Sequence, residues 1–315
     1  MTSIIKRVAT GPELSKSISY EESRAGMRLV LEGLADPVQA AVFLIGLRMK
    51  RETDDENKGI LQGIRDKTKT VVADVDELVD IADPYNGYGR SLPSSPFLPV
   101  LLAESGVPAV SHGVETVGPK FGVTHHQILQ AAGVSVELTG EEAGKQISNL
   151  EIGWAYVDQS QFCPSLFGMA EFRKKIVKRA AISTAEVLTG PVRGRNKTHL
   201  LTGYVHNEYP PIYTMLARHS GFNSAFLMRG TEGCVTPSLR KRSEFVRYWE
   251  QSEDVVVEAD PSKIGIEQEN RLVPIAHALM PIIDREFGPD ENNAEIAKLA
   301  AKEGLAAIEG KKFHL

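Results

Sequence analysis

The stretch from Asp80 to Gly133 does most to limit what this chain can fold into. Val71–Ala82 ends in a short apolar run that reads as a strand, and Asp83-Pro84-Tyr85-Asn86-Gly87 breaks it with turn residues. Gly87 and Gly89 allow positive φ and close backbone approach. Ser91, Ser94 and Ser95 place hydroxyls just before an apolar helix over Phe97–Glu104, whose first N–H groups are unpaired and suit an anion. Gly106–Val110 reads as the next strand, ending at Ser111-His112-Gly113. Strand, glycine loop, helix and strand make a βαβ unit, and ligands of such units sit at the carboxyl ends of the strands, where the loop and His112 lie.

The remaining patterns set limits. A chain of 315 residues can bury a large core. The formal charge of −5 announces no global field for nucleic acid and leaves room for a local basic patch. Cys163 and Cys234 are too few for a disulfide framework or a four-ligand zinc site and suit a reducing cytoplasm. The first residues lack the apolar run of a signal peptide, and no run of about 20 apolar residues offers a membrane span. Residues 1–70 read as helices. Ser19 with Glu22 and Thr53 with Glu56 are capping boxes, Asp36-Pro37 opens a helix between them, and Val38, Ala41, Val42, Ile45 and Met49 make one apolar face. His125-His126 are neighbours on a helix, point in different directions, and do not suggest a shared metal.

Two stretches carry a family resemblance. Gln39-Ala40-Ala41-Val42-Phe43-Leu44-Ile45-Gly46-Leu47-Arg48-Met49-Lys50-Arg51-Glu52-Thr53 is similar to Gln-x-x-Ala-Phe-Leu-x-Ala-Leu-Arg-x-Lys-Gly-Glu-Thr of the anthranilate phosphoribosyltransferase family, with Arg51 in place of the glycine. The Asp80–Gly113 frame resembles the same family's phosphoribosyl-pyrophosphate site. There Gly-Thr-Gly-Gly-Asp becomes Asp83-Pro84-Tyr85-Asn86-Gly87, Asn-x-Ser-Thr becomes Pro93-Ser94-Ser95-Pro96, and Lys-His-Gly-Asn becomes Ser111-His112-Gly113-Val114. The resemblance implies an α/β fold: a small all-helical domain over 1–70, joined in space by helices from about 165–190, and a larger α/β domain over 71–315 with a mainly parallel sheet flanked by helices. It also implies a homodimer through the N-terminal helices, and phosphate or substrate contacts at Asn86, Gly87, Ser91, Ser95, His112, Lys120, Arg179 and Glu232.

Further along, Cys163-Pro164 stands where the family carries His-Pro, and Cys163 reads first as a packed small apolar residue. Phe172–Val187 is the most basic stretch. Arg173 and Arg179 fall on two family arginines, while the family's glycine between them has become Val177. Arg179 offers a planar fork to a carboxylate or phosphate. Lys174, Lys175 and Lys178 suit a solvated face. With Arg173, Arg193, Arg195 and Lys197 they also suit a stripe that tracks phosphates. His199–Val205 and Ser224–Met228 read as strands, Pro211–Ser220 as a helix, Val255–Val257 as an edge strand, and Leu272–Phe287 and Asn293–Glu309 as closing helices.

The resemblance changes most after Met228. The family's His-Gly-x-Asp-Gly-Leu-Asp-Glu ends in the acidic pair that holds magnesium, and Val235 and Thr236 stand in its place. Glu232 matches the earlier acidic position and also suits a cap for the turn between Gly230 and Gly233. Valine offers magnesium no oxygen ligand, so Mg2+ is expected only with bound phosphoribosyl pyrophosphate. The resemblance therefore leaves three expectations: a phosphoribosyltransferase-family glycosyltransferase in which anthranilate is an improbable acceptor, a non-catalytic DNA- or RNA-binding dimer of the family's diverged subgroup, or a binder of small anions.

Overall fold

The computed structural model describes residues 1–11, 13–275 and 292–310. The chain opens with four helices, α1 (Thr2–Val8), α2 (Tyr20–Leu31), α3 (Pro37–Lys50) and α4 (Asp54–Arg65). Local chemistry sets their starts. Ser19 and Glu22 exchange both capping bonds, as do Thr53 and Glu56, and the Asp36 carboxylate accepts from the N–H groups of Val38 and Gln39. Helices α2 and α4 touch closely because glycines face the partner: a Cβ on Gly59 would lie 2.5 Å from both Ser23 Cβ and the Tyr20 carbonyl. Glu56 is fully buried and takes the Ile18 N–H at 2.9 Å and the Lys50 ammonium at 2.6 Å.

Then comes an open sheet. Its strands follow in chain order with their helices: β1 (Val71–Val72), β2 (Glu77–Ala82), α5 (Leu98–Glu104), β3 (Ala109–Gly113), α6 (His125–Ala131), α7 (Gly140–Ser148) and β4 (Trp154–Asp158). Short helices α8 (Gln159–Phe162), α9 (Pro164–Phe167), α10 (Ala170–Ile176) and α11 (Ile182–Ala185) lead back to β5 (Val192–Arg193) and β6 (Lys197–Tyr204). The chain continues through α12 (Tyr209–His219), β7 (Ser224–Arg229), β8 (Ser243–Trp249), β9 (Val255–Ala259) and α13 (Asn293–Ile308). The main sheet runs β4-β3-β2-β6-β7-β8-β9, parallel from β4 to β7 and antiparallel thereafter, while β1 and β5 pair apart. The chain builds outward from β2 through β3 and β4, then returns to lay β6 on the other side of β2. That reversal puts a crevice beyond the carboxyl ends of β2 and β6.

One continuous apolar cluster runs from Ile4 and Phe43 in the helices to Val110, Leu200 and Tyr248 in the sheet, and α11 packs on α4. This expected α/β architecture, helices first and a mostly parallel sheet after, is the one observed. Several boundaries differ. The strand read over Val71–Ala82 is two, parted by Asp74–Asp76, because β1 leaves to pair with β5. The helix read from Phe97 starts at Leu98 after a tight turn over Ser95–Phe97. Residues 272–275 are not helical, and the rest of that expected helix lies outside the described residues. Among the described residues, no helix is long and apolar enough to cross a membrane.

Candidate functional site

At the carboxyl end of β2 the turn residues fold back on a second loop. Tyr88 and Val123 exchange backbone bonds at 2.8 Å each, and Gly122 N–H donates to the Asn86 carbonyl at 2.9 Å. Gly87 holds φ +71°, and a Cβ there would lie 2.5 Å from the Gly122 carbonyl carbon, so only glycine lets the loops close. This closure brings Lys120 over the turn, where its ammonium donates to the Gly87 carbonyl at 2.6 Å.

The convergent donors already hold an anion, and it belongs to the chain. Gly89 N–H donates to Glu232 Oε1 at 3.0 Å, Arg90 N–H to Oε2 at 3.1 Å and Ser91 Oγ–H to Oε2 at 3.2 Å. Lys120 Nζ forms an ion pair with Oε1. Burial, aided by the cations Arg179 and Arg90, lowers the Lys120 ammonium from its ordinary value against the opposing pull of Glu232. Arg179 is exposed as a residue, yet its guanidinium is crowded: burial and the like charge of Arg48 lower it, with Tyr209 and Glu232 opposing. Arg48 and Arg51 line a cleft of about 540 Å³ between the helical bundle and α12, together with Asn57, Thr184 and Tyr209.

Beneath the cradle lies a closed polar core. Asp83 Oδ2 accepts from Tyr88, from Ser95 Oγ–H at 2.5 Å and from His125 Nε2 at 3.0 Å, and Oδ1 accepts from the Val235 N–H at 2.9 Å. His112 Nε2–H donates to Asp80 Oδ1 at 2.8 Å, which leaves Nδ1 to accept from Tyr85. Burial raises the Tyr85 phenol well above its ordinary value, so it remains a neutral donor. His126 Nδ1 pairs with Asp158 Oδ2 at 2.9 Å, away from His125.

These contacts sort the expected site residues. Gly87, Ser91, Lys120, Arg179 and Glu232 gather at the cradle. Asn86 contributes a buried backbone carbonyl. Ser95 and His112 are buried and already bonded to carboxylates of the chain, Asp83 and Asp80. The donors that sequence reasoning passed over are the N–H groups of Gly89 and Arg90, since a backbone amide leaves no mark in composition.

The basic stretch is likewise divided. Arg173 is buried in a two-pronged pair with Glu186, and Arg193 lies over the Phe222 ring at 4.0 Å while donating to the Ser220 carbonyl at 3.0 Å. Neither is available to a phosphate backbone, because each guanidinium is committed inside the fold. Arg195 pairs with Asp74 and Asp76. Lys175 and Lys178 are exposed and Lys174 half-buried.

Magnesium, which the fold family implies, needs carboxylate oxygens free to coordinate. Asp83, which accepts from the Val235 N–H, and Glu232, just before it in the chain, are each bonded by several donors of the chain itself, and Val235 is an apolar buried residue. Among the described residues, no three or more His, Cys, Asp or Glu side chains group to hold a metal. The described residues therefore do not fit the ion.

Comparison with known proteins fits this geometry. Residues 2–68 match the helical bundle domain model of a glycosyl transferase family. Anthranilate phosphoribosyltransferase of Cupriavidus necator is 28% identical over 225 residues, covering 71% of this chain and 64% of that protein. The enzyme of Rhodopseudomonas palustris is 26% identical over 231 residues, covering 73% of this chain and 65% of that protein. The match thus spans just under two thirds of the length of these relatives. Among solved structures, anthranilate phosphoribosyltransferase of Thermus thermophilus superposes with a TM-score of 0.67 at 20% identity, over 98% of this chain and 90% of that one. The Saccharomyces cerevisiae enzyme, solved with PRPP and Mg, gives 0.71 at 15% identity, over 100% and 82%. Over residues 2–68 the chain thus carries the helical bundle domain of a glycosyl transferase family, and in sequence and fold the whole is similar to anthranilate phosphoribosyltransferases.

Proposed function

We propose that this protein is a phosphoribosyltransferase-family member that binds a phosphorylated small molecule at the turn after β2, without transferring phosphoribosyl to anthranilate. One observation carries the reading: two backbone N–H groups, a hydroxyl and an ammonium converge on a single oxyanion, with Arg90 and Arg179 close by. Such a set suits a terminal phosphate or pyrophosphate. Transfer is another matter. Departure of pyrophosphate needs charge neutralisation, and the carboxylates that would seat a metal are occupied by internal donors. Calorimetry should detect binding of pyrophosphate or phosphoribosyl pyrophosphate, and no anthranilate-dependent consumption of the latter with magnesium. Robust turnover would overturn the reading.

A second reading has its own support. Lys175, Lys178 and Arg179 are exposed, and Gly118 in the Lys120 loop packs near the backbone of Lys174. On this reading these cations bind the phosphates of DNA or RNA, and a homodimer through residues 1–70 doubles the patch. Met49, 76% exposed, lines an apolar groove with Val42 and Ile45, and Val38 on the same helix is 71% exposed, which suits such pairing. Both thiols, Cys163 and Cys234, are free and buried, in keeping with a cytoplasmic setting. A gel shift with single-stranded DNA at two salt concentrations separates the readings. Salt-sensitive binding weakened by Lys175→Ala with Lys178→Ala supports the second, and no binding at low salt removes it.

A further inference from the structure

We propose that Glu232 is a resident occupant of the anion cradle, an internal carboxylate that a ligand's phosphate must displace before it can bind. The inference rests on the phosphate-binding reading and deepens it, since it says why the free site would be weak and what would open it.

Both carboxylate oxygens of Glu232 are used, Oε1 by Gly89 N–H and Lys120, and Oε2 by Arg90 N–H and Ser91. The partners lie 112 to 143 residues away in sequence, on two other loops. This is the pattern of a bound ligand: a terminal oxyanion met by every donor within reach. The backbone is adapted to deliver it. Glu232 holds φ +60°, a left-handed conformation that a residue with a Cβ adopts only under constraint, in the short turn Thr231–Gly233. The turn is anchored just beyond by the Val235 N–H on Asp83 and just before by the Gly230 N–H on the Tyr204 carbonyl at 3.1 Å. With the backbone fixed at both ends, what can leave is the side chain, through rotation of the Glu232 carboxylate toward solvent.

Displacement leaves two amides, a hydroxyl and an ammonium around an empty volume. Lys120 then loses the acid it pairs with among the described residues, with the cations Arg90 and Arg179 acting on it, so an incoming dianion is favoured over the monoanion it replaces. With Glu232 in place, the same ligand meets like charge where its own oxygens must go. The contact is therefore autoinhibitory: it holds the site filled until a ligand outcompetes it.

The test uses pyrophosphate and calorimetry on the full chain, comparing the parent with Glu232→Gly and Glu232→Gln. Glycine accepts the left-handed backbone and removes the carboxylate; glutamine keeps the size and removes the charge. Glu232→Gly should bind pyrophosphate at least about tenfold more tightly than the parent, about 1.4 kcal/mol, with Glu232→Gln between them. Adding Lys120→Ala to Glu232→Gly should abolish the gain. If the parent binds and neither variant binds more tightly, Glu232 is a structural tie; the proposal falls and the phosphate-binding reading stands. If none of the three binds, both fall. If Glu232→Gly fails to fold, Glu232→Gln decides, and binding no tighter than the parent's overturns the proposal.

Discussion

Arg173 and Glu186 meet as a parallel pair, Nη1 on Oε2 and Nη2 on Oε1, both at 2.7 Å, with both side chains almost fully buried. Arg173 lies in α10 and Glu186 follows α11 directly, so the pair fastens two short segments that little local helix propensity would hold. Removing one partner leaves a buried charge without its mate. Arg173→Ala should lower stability by about 3–5 kcal/mol, read as a fall in the urea midpoint at constant slope. A loss below about 1 kcal/mol would mean that solvent reaches the pair.

Val177 ends α10 at φ +60° with its side chain 61% exposed. A β-branched residue pays steric strain there and gains little burial in return. Val177→Gly should raise stability by about 1 kcal/mol, seen as a higher thermal midpoint. A lower midpoint would show that the valine packs against something that outweighs the strain.

Arg51 makes the same point. It holds φ +66° at the end of α3, and both it and Val177 stand where the family pattern carries glycine. The sequence shows a side chain there, whereas the structure shows the left-handed backbone that favours glycine, and no propensity rule for arginine or valine reads that conformation. What was legible is local. The capping boxes at Ser19 and Thr53, the N-cap at Asp36 and the strand–turn–helix after Val79 depend on residues within a few positions of one another. What was not legible depends on distant partners. Arg173 reads as one more cation until Glu186 is seen beside it, and Glu232 reads as a ligand contact until its own carboxylate is seen filling the cradle from 112 to 143 residues away. Ser95 and His112 each face a buried carboxylate, Asp83 or Asp80, that lies 12 or 32 residues away in sequence.

His219 ends α12 with its ring centroid 5.7 Å from that of Tyr20, edge to face, and its buried Nε2 has no partner among the described residues. Burial first, then the charges of Arg65 and Lys58, lowers its pKa from 6.5. The folded state thus resists a proton that the unfolded chain accepts. This contribution to stability is complete above pH 6.5 and is lost as pH falls through the lower folded value. Denaturation midpoints measured above and below pH 6.5 should converge in His219→Phe relative to the parent. An unchanged difference would assign the acid sensitivity elsewhere.

Gly59 fixes how near α4 comes to α2. A methyl there would meet Ser23 Cβ and the Tyr20 carbonyl at 2.5 Å, and the carbonyl belongs to backbone that cannot turn aside. Gly59→Ala should cost about 2 kcal/mol by overpacking, measured by urea denaturation, despite alanine's better helix propensity. A neutral result would mean that the two helices separate without penalty.

Helix α13 lies far along the chain yet reaches the cradle's second loop. Ile296, Ala297, Ala300 and Ala301 join Phe97, Val123 and Ile128 in one apolar cluster, and Asn293 Nδ2–H donates to the carbonyl of Phe121, the residue after Lys120, at 2.8 Å. A chain growing from the ribosome therefore completes most of its sheet before it can steady the loop that presents Lys120. The loop that presents Lys120 is steadied only once α13 has been made, and a chain released before it would carry the sheet without that support.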